Sequence, residues 1–314
     1  MAPIPQFDLN DGTKIPAVGL GCWMGNVEGA PRAYEMCIKA LKAGYRHFDT
    51  ASGYENEKEV GRAIRESGIP RKDIFITTKI PNPGHHNVKG EFEQSLKELD
   101  CEYIDLLLMH WPMANVMGPD GVNFVPRPDE SPTYIETWKD MEKLLETGKV
   151  KSIGVSNFGA PLIEKLIPHC KVIPSNNQIE CHPCLPQKDI RDVCAKYGIT
   201  VTAYSPLGRG PVLMGNETIN EVAKELNVTP AQVCLSWAVQ QNVIVVPKSE
   251  NKDRLAANLN IVTLSAEQME RVSSIHKEPG MHKSLLKYHV DGEVFGWTHE
   301  QLGWNMSSDG TVPK

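Results

Sequence analysis

At 314 residues, with 40% hydrophobic and 23% charged side chains, the chain can bury a large core and keep a charged surface. A formal net charge of −6 argues against a general nucleic-acid or membrane-surface binder, either of which needs a basic excess. No apolar run reaches the roughly 18 residues of a membrane helix, the start lacks a basic and apolar leader, and the final Gly-Thr-Val-Pro-Lys is no address signal, so a cytoplasmic protein is expected.

Residues 6–16 read as a short hairpin turning at Asn10-Asp11-Gly12. Strand-like and helix-like segments then alternate. Residues 18–21 are a strand, and 31–44 an amphipathic helix stopped by Gly44. Strand 45–50 precedes helix 56–68, strand 73–79 precedes helix 89–100, and strand 103–110 is a near-continuous apolar run, as a strand covered on both faces requires. The second half keeps the beat: helix 131–148, strand 150–156, helix 160–170, strand 175–180, helix 187–198 and strand 199–205. Two helices, 216–227 and 229–241, lead to strand 243–249, followed by helices 252–259 and 265–276. Strict alternation implies a parallel sheet with right-handed crossovers. Eight such units in about 250 residues predict one closed (β/α)8 TIM barrel spanning residues 1–314, with an N-terminal β-hairpin and no linker.

Two segments break the beat. Residues 111–132 are rich in Pro and Gly, and residues 277–314 trail beyond the last helix. Trp111, Phe124, Phe295, Trp297 and Trp304 give both an apolar content suited to docking over the barrel mouth, so they are expected to be long rim loops shaping a substrate pocket.

Three strand-like runs of the first half, with the loop behind one of them, deliver four proton-handling groups to the carboxyl ends, where a barrel places its active site. Asp49 ends the second strand and Tyr54 follows in its loop, Lys79 ends the third, and His110 ends the fourth. Free Tyr titrates near 10, and a neighbouring ammonium lowers that value. Lys79 can supply the ammonium, Asp49 can balance it, and His110 can orient a substrate oxygen. Taken singly, each has an ordinary structural explanation: a helix cap, a packed ring, a solvated strand end, a rim histidine. Together they suit delivery of a proton to an oxygen that becomes an alcohol.

Reduction needs a hydride source, and the later strand ends supply a place for one. Ser156, Asn157 and Gln178 can hydrogen-bond a carboxamide, and Tyr204 offers a flat face to a nicotinamide ring, with Ser205 and Leu207 just beyond it. After the eighth strand come Pro247, Lys248 and Ser249, then Lys252 and Arg254. This basic knot is expected at a phosphate-binding rim. Two other features read as incidental. Gly19-Leu20-Gly21-Cys22-Trp23-Met24-Gly25 has the wrong spacing for a dinucleotide fingerprint and reads as a tight turn after the first strand. Cys181 and Cys184 lack a second ligand pair at zinc spacing, and the eight cysteines read as reduced, mostly buried thiols.

Over essentially its whole length the sequence resembles the aldo-keto reductases. Three stretches carry the resemblance: Gly44-Tyr45-Arg46-His47-Phe48-Asp49-Thr50-Ala51 with Tyr54 through Val60-Gly61; Gly148-Lys149-Val150 through Ile153-Gly154-Val155-Ser156-Asn157-Phe158; and Val246-Pro247-Lys248-Ser249 with Arg254 and Asn258. Asn177-Gln178-Ile179-Glu180-Cys181-His182-Pro183 resembles the family's sixth strand. The resemblance implies a proton donor at Tyr54, tuned by Lys79 and Asp49, with His110 orienting the substrate. It implies NADP(H), with Lys248, Ser249 and Arg254 around the 2′-phosphate and Asn258 at the adenine. Gly21, Cys22 and Trp23 would line the nicotinamide end, and Trp23 and Trp111 would wall the substrate pocket. The chain departs from the family pattern at Cys22, often Thr, at Ala257, often acidic, and in a short loop at Gly208-Arg209-Gly210-Pro211. The tail from Val294 to Trp304 resembles fungal members similar to glycerol dehydrogenases and small-aldehyde reductases.

The expected activity is NADPH-dependent reduction of small or hydroxylated aldehydes, including aldoses, or the reverse oxidation of a polyol. Expected partners are a small carbonyl or alcohol substrate, with no nucleic acid and no membrane, for a monomer or weak dimer. Two rivals are a non-catalytic nucleotide-sensing subunit on the same scaffold and a metal-dependent barrel hydrolase. The intact Asp49, Tyr54, Lys79 and His110 set speaks against the first. The second needs a His/Asp ligand cluster, and only one His sits at the strand ends.

Overall fold

The computed structural model describes residues 4–118, 120–286 and 292–313. Residues 119 and 287–291, which belong to the two expected rim loops, lie outside the described residues, as do residues 1–3 and 314 at the chain ends.

Eight strands form one sheet whose neighbouring pairs are all parallel: Leu20–Gly21, His47–Asp49, Phe75–Ile80, Ile104–Met109, Val150–Ser156, Asn176–Glu180, Thr200–Tyr204 and Val243–Val245. The sheet closes on itself. Val18 bridges Val245 in parallel, Gly19 N donates to Val245 O at 2.9 Å, and Gly21 N donates to Pro247 O at 3.1 Å. Every expected helix of the alternation is present, the longest being Val88–Leu99. The (β/α)8 barrel is therefore the fold.

Side-chain alternation along the strands fills the barrel in layers. Phe75, Thr77 and Lys79 share one parity and point inward, while Thr78 points out and donates to Glu57 of helix Glu57–Glu66. The end away from the site is apolar: Phe75, Leu106, Leu108 and Ile244 cluster with Leu9 and Ile15 of the hairpin, which plugs that end. Above it lies His47 with Thr77. His47 Nδ1 meets Pro16 O at 3.2 Å and must donate there, because a carbonyl only accepts, so Nε2 accepts from Thr77 Oγ1 at 3.1 Å. Burial pushes the His47 pKa down to about 4, which keeps this imidazole neutral. The top layer is Asp49 and Lys79. One alternating strand thus places an apolar floor and a buried ammonium at opposite ends of the barrel.

The Gly19-Leu20-Gly21 run belongs to the expected first strand. Leu20–Gly21 is itself the first barrel strand, and a Cβ on Gly19 would stand 2.5 Å from His47 Nδ1. Such close approach between strands leaves no local pattern in sequence. Gly61 has a similar role between helices. A Cβ there would lie 2.0 Å from the Leu99 carbonyl oxygen, a backbone atom that cannot swing away. Gly61→Ala should cost about 1–3 kcal/mol of stability, the usual scale of overpacking. The denaturant midpoint should fall at unchanged slope; an unshifted midpoint would show that the two helices part freely.

The two off-beat segments meet over the carboxyl ends of the strands. Within 111–132 a small hairpin pairs Val116–Met117 with Asn123–Phe124. In the tail, Glu293–Val294 pairs with Trp297–Thr298 ahead of the short helix His299–Leu302. Trp297 Nε1 donates to Pro126 O at 2.8 Å, and Trp111 stacks edge-on against Phe295 at 5.0 Å between centroids, so each segment holds the other. No helix among the described residues is long and apolar enough to cross a membrane.

Candidate active site

Three strand ends and one turn bring the four expected groups together. Lys79 Nζ is 2.7 Å from Asp49 Oδ1, 2.8 Å from Thr50 O and 3.5 Å from the Tyr54 hydroxyl. Tyr54 closes the 3-10 turn Ser52–Tyr54. Buried Asn56 anchors that turn, accepting from Thr50 Oγ1 at 2.6 Å and donating to Cys22 O at 2.7 Å. His110 is the first residue past strand Ile104–Met109, its carbonyl bonded by Asn157 Nδ2 at 2.9 Å. The rings of Tyr54 and His110 stand edge to face, 5.6 Å apart, with Trp23 5.1 Å from Tyr54 on the other side.

The electrostatics of this group depart in one respect from the neighbour argument made on sequence. Burial pushes the Tyr54 phenol up, and the Lys79 charge opposes that rise without overcoming it. The phenol is therefore protonated throughout the neutral range, as an acid must be before it donates. Burial also works against the Lys79 ammonium, yet the charge of Asp49 and the bonds to Asp49 and Tyr54 outweigh it and leave Lys79 above its ordinary value. His110 is driven well below the usual imidazole range, by burial first and by Lys79 second. A neutral His110 offers one N–H donor and one acceptor.

These groups form part of the wall of a cavity of about 720 Å³ at the carboxyl ends of the strands. Every residue expected to touch cofactor or substrate, from Gly21 to Asn258, lines it, with Lys79 as the exception. Lys79 is fully buried and reaches Tyr54 from behind the wall. At the middle of the cavity the expected polar residues orient one another. Gln178 Nε2 donates to Asp49 Oδ2 at 2.5 Å, Ser156 Oγ donates to Gln178 O at 2.8 Å, and Tyr204 OH donates to Asn157 Oδ1 at 2.8 Å. At the far end lie Lys248, Ser249, Arg254 and Asn258. Two cations and a hydroxyl at one end, and amides beside an aromatic face nearer Tyr54, form a donor set that can hold an extended dinucleotide with an added phosphate.

Lys252 is not part of this set. It is exposed and does not line the cavity, although its neighbour Arg254 does. Sequence reasoning also passed over Glu250, which pairs with Lys248 and Arg32. Phe295, expected over the barrel mouth, does line the cavity, whereas Leu286 and Arg209 were missed, their only signal being membership of an off-beat segment and of a Gly-flanked loop. Glu180 was missed as well. At the end of the sixth strand, its carboxylate accepts from His182 Nε2 at 2.8 Å, Ser284 Oγ at 2.6 Å and Leu285 N at 2.8 Å. Burial disfavours that charge, but these bonds prevail and hold the Glu180 pKa below its ordinary value. The tail is thereby tied to the barrel two residues before Leu286. Cys181 and Cys184 are buried, and burial pushes both thiols up to about 12, so neither is a thiolate at neutral pH.

Known proteins place the chain in a family and support its fold. The model of the aldo/keto reductase family matches residues 17–277. The chain is 43% identical over 303 residues to a glycerol 2-dehydrogenase (NADP(+)) of Saccharomyces cerevisiae, covering 92% of this chain and 96% of that protein. It is 40% identical over 295 residues to a D-galacturonate reductase of Hypocrea jecorina, covering 90% and 94%. Among solved structures, the aldose reductase from Schistosoma japonicum superposes with a TM-score of 0.78 at 36% identity, covering 86% of this chain and 91% of that one.

Proposed function

The chain belongs to the aldo/keto reductase family and is an oxidoreductase, and on that premise we propose that it reduces aldehydes to alcohols with NADP(H), using Tyr54 as proton donor. The observation that carries the reading is the Tyr54 hydroxyl 3.5 Å from an ammonium that is itself locked to Asp49 at 2.7 Å.

The nicotinamide end of the bound cofactor supplies the hydride. The protein's own groups do the rest. His110, neutral, donates a hydrogen bond to the carbonyl oxygen and fixes it beside Tyr54. The phenol gives its proton to that oxygen as the carbonyl carbon is reduced, and Lys79 stabilises the phenolate left behind. Asp49 opposes the burial that works against the Lys79 ammonium and, with Tyr54, leaves that charge favoured. In the reverse direction the phenolate accepts the proton, and a polyol is oxidised. Ser156, Asn157 and Gln178 would hold the carboxamide, Tyr204 would offer its face to the ring, Ser205 and Leu207 would continue the channel, and Lys248, Ser249 and Arg254 would clamp a 2′-phosphate with Asn258 at the adenine.

Trp23, Trp111 and Phe295 give the substrate end flat apolar walls around a polar centre, which suits small or hydroxylated carbonyls, aldoses among them. Relatives named for glycerol, aldehyde and galacturonate substrates support that class. We take residues 1–314 as one barrel domain, with 111–132 and 277–314 as its substrate loops, working in the cytoplasm as a monomer or weak dimer.

A panel of aldehydes assayed with NADPH and NADH in parallel tests the reading. The cofactor half has a separate check in binding. Arg254→Ala should weaken NADPH about ten- to hundredfold, since a charge-assisted bond contributes roughly 1.5–3 kcal/mol. NADH carries no 2′-phosphate and should bind almost as before. The NADPH preference should also shrink at high salt. Equal losses for both cofactors, read by tryptophan fluorescence, would show that this rim does not read the phosphate.

A further inference from the structure

The phosphate rim carries a carboxylate of its own. Lys248 Nζ donates to Glu250 Oε1 at 2.5 Å. Arg32 Nη1 lies 3.1 Å from Oε1 and 3.0 Å from Oε2 of the same group. Arg32 ends the 3-10 turn Val27–Arg32, 218 residues away in sequence. Lys248 lines the cavity, whereas Glu250 and Arg32 stand behind it. The side chains are 35%, 34% and 57% exposed in that order, so all three can move.

A phosphate dianion arriving at Lys248 meets a cation that is already paired. It cannot share Lys248 with Glu250 unless two anions are brought together, which is unfavourable at this range. Glu250 can leave Lys248 without being stranded, because Arg32 holds both of its oxygens. We infer that Glu250 is a built-in competitor for the 2′-phosphate, that Arg32 holds it aside when the phosphate binds, and that this pair sets the margin between NADPH and NADH. The inference rests on the reading that the cavity takes NADP(H), and it assigns Glu250 and Arg32 a role in specificity through Lys248, not direct contact with the reacting atoms.

Equilibrium titration by tryptophan fluorescence tests it, since Trp23 and Trp111 line the cavity. Glu250→Gln frees Lys248 and should tighten NADPH about three- to fivefold, the scale of a partly exposed charge interaction. Arg32→Ala leaves Glu250 leaning on Lys248 and should weaken NADPH by a similar factor. The double variant should follow Glu250→Gln, because Arg32 acts through Glu250. NADH should stay within about twofold throughout, since it lacks the competing charge. Shifts of the same sign in both single variants, or equal shifts for the two cofactors, would mark a merely structural pair and overturn the inference. Unchanged NADPH affinity in a protein that still prefers NADPH would overturn it alone. A wild type that binds neither nucleotide would overturn it together with the reading beneath it.

Discussion

Tyr54→Phe should fold, bind NADPH and lose aldehyde reduction by at least about two orders of magnitude, the usual scale for removing a general acid. The substitution deletes one hydroxyl and keeps the ring, whose contacts with Trp23 and His110 do not involve the oxygen. The pH profile carries a second signature. Burial raises the Tyr54 pKa, so the phenol holds its proton across neutrality and surrenders it only in the alkaline range. Reduction by the wild type should therefore stay level through neutral pH and fall as pH rises through the phenol's value. His110 is neutral until well below its ordinary range, so no loss is expected as pH falls modestly below neutrality. A Phe variant with near-wild-type turnover would remove Tyr54 from the mechanism.

Lys79→Met should be more severe, with a loss of about three to four orders of magnitude, toward the top of the range for acid–base catalysis. Lys79 is the group that offsets burial at the phenol, so without it the phenolate formed on proton transfer has no counter-charge. Asp49→Asn should be milder, because Lys79 keeps its bonds to Thr50 O and Tyr54. Removing Lys79 alone also strands Asp49, and an unpaired buried charge costs about 3–5 kcal/mol. The double variant Lys79→Met with Asp49→Asn removes both charges. It should recover stability in a melt but not activity. If it recovers turnover, or if both single variants lose little, Lys79 does not tune the phenol.

The alternation of strands and helices was legible because the helices and the longer strands, such as Phe75–Ile80 and Ile104–Met109, are long enough to show their period, and the short strands fall in the gaps between them. In strand Phe75–Ile80, Phe75, Thr77 and Lys79 share a parity, and Ile76 and Thr78 between them face the helices. What escaped the sequence is what depends on distant partners. Gly19 is shaped by His47, and Glu250 pairs with an arginine 218 residues away. Counting Lys248, Lys252 and Arg254 as one basic knot ignored both the carboxylate among them and the exposure of Lys252. The phenol was judged by its neighbour alone, and burial proved the larger influence. Glu180 reads as one more residue of a strand until Ser284 and Leu285 fold back onto it.

The most direct test of the account is to count alcohol formed against NADPH consumed by the purified protein with a small hydroxylated aldehyde. The account predicts one alcohol per NADPH in wild type, with both falling together in Tyr54→Phe while NADPH still quenches tryptophan fluorescence. A wild type that binds NADPH but forms no alcohol from any aldehyde tested would contradict it, and would point to a nucleotide-sensing role for the same barrel.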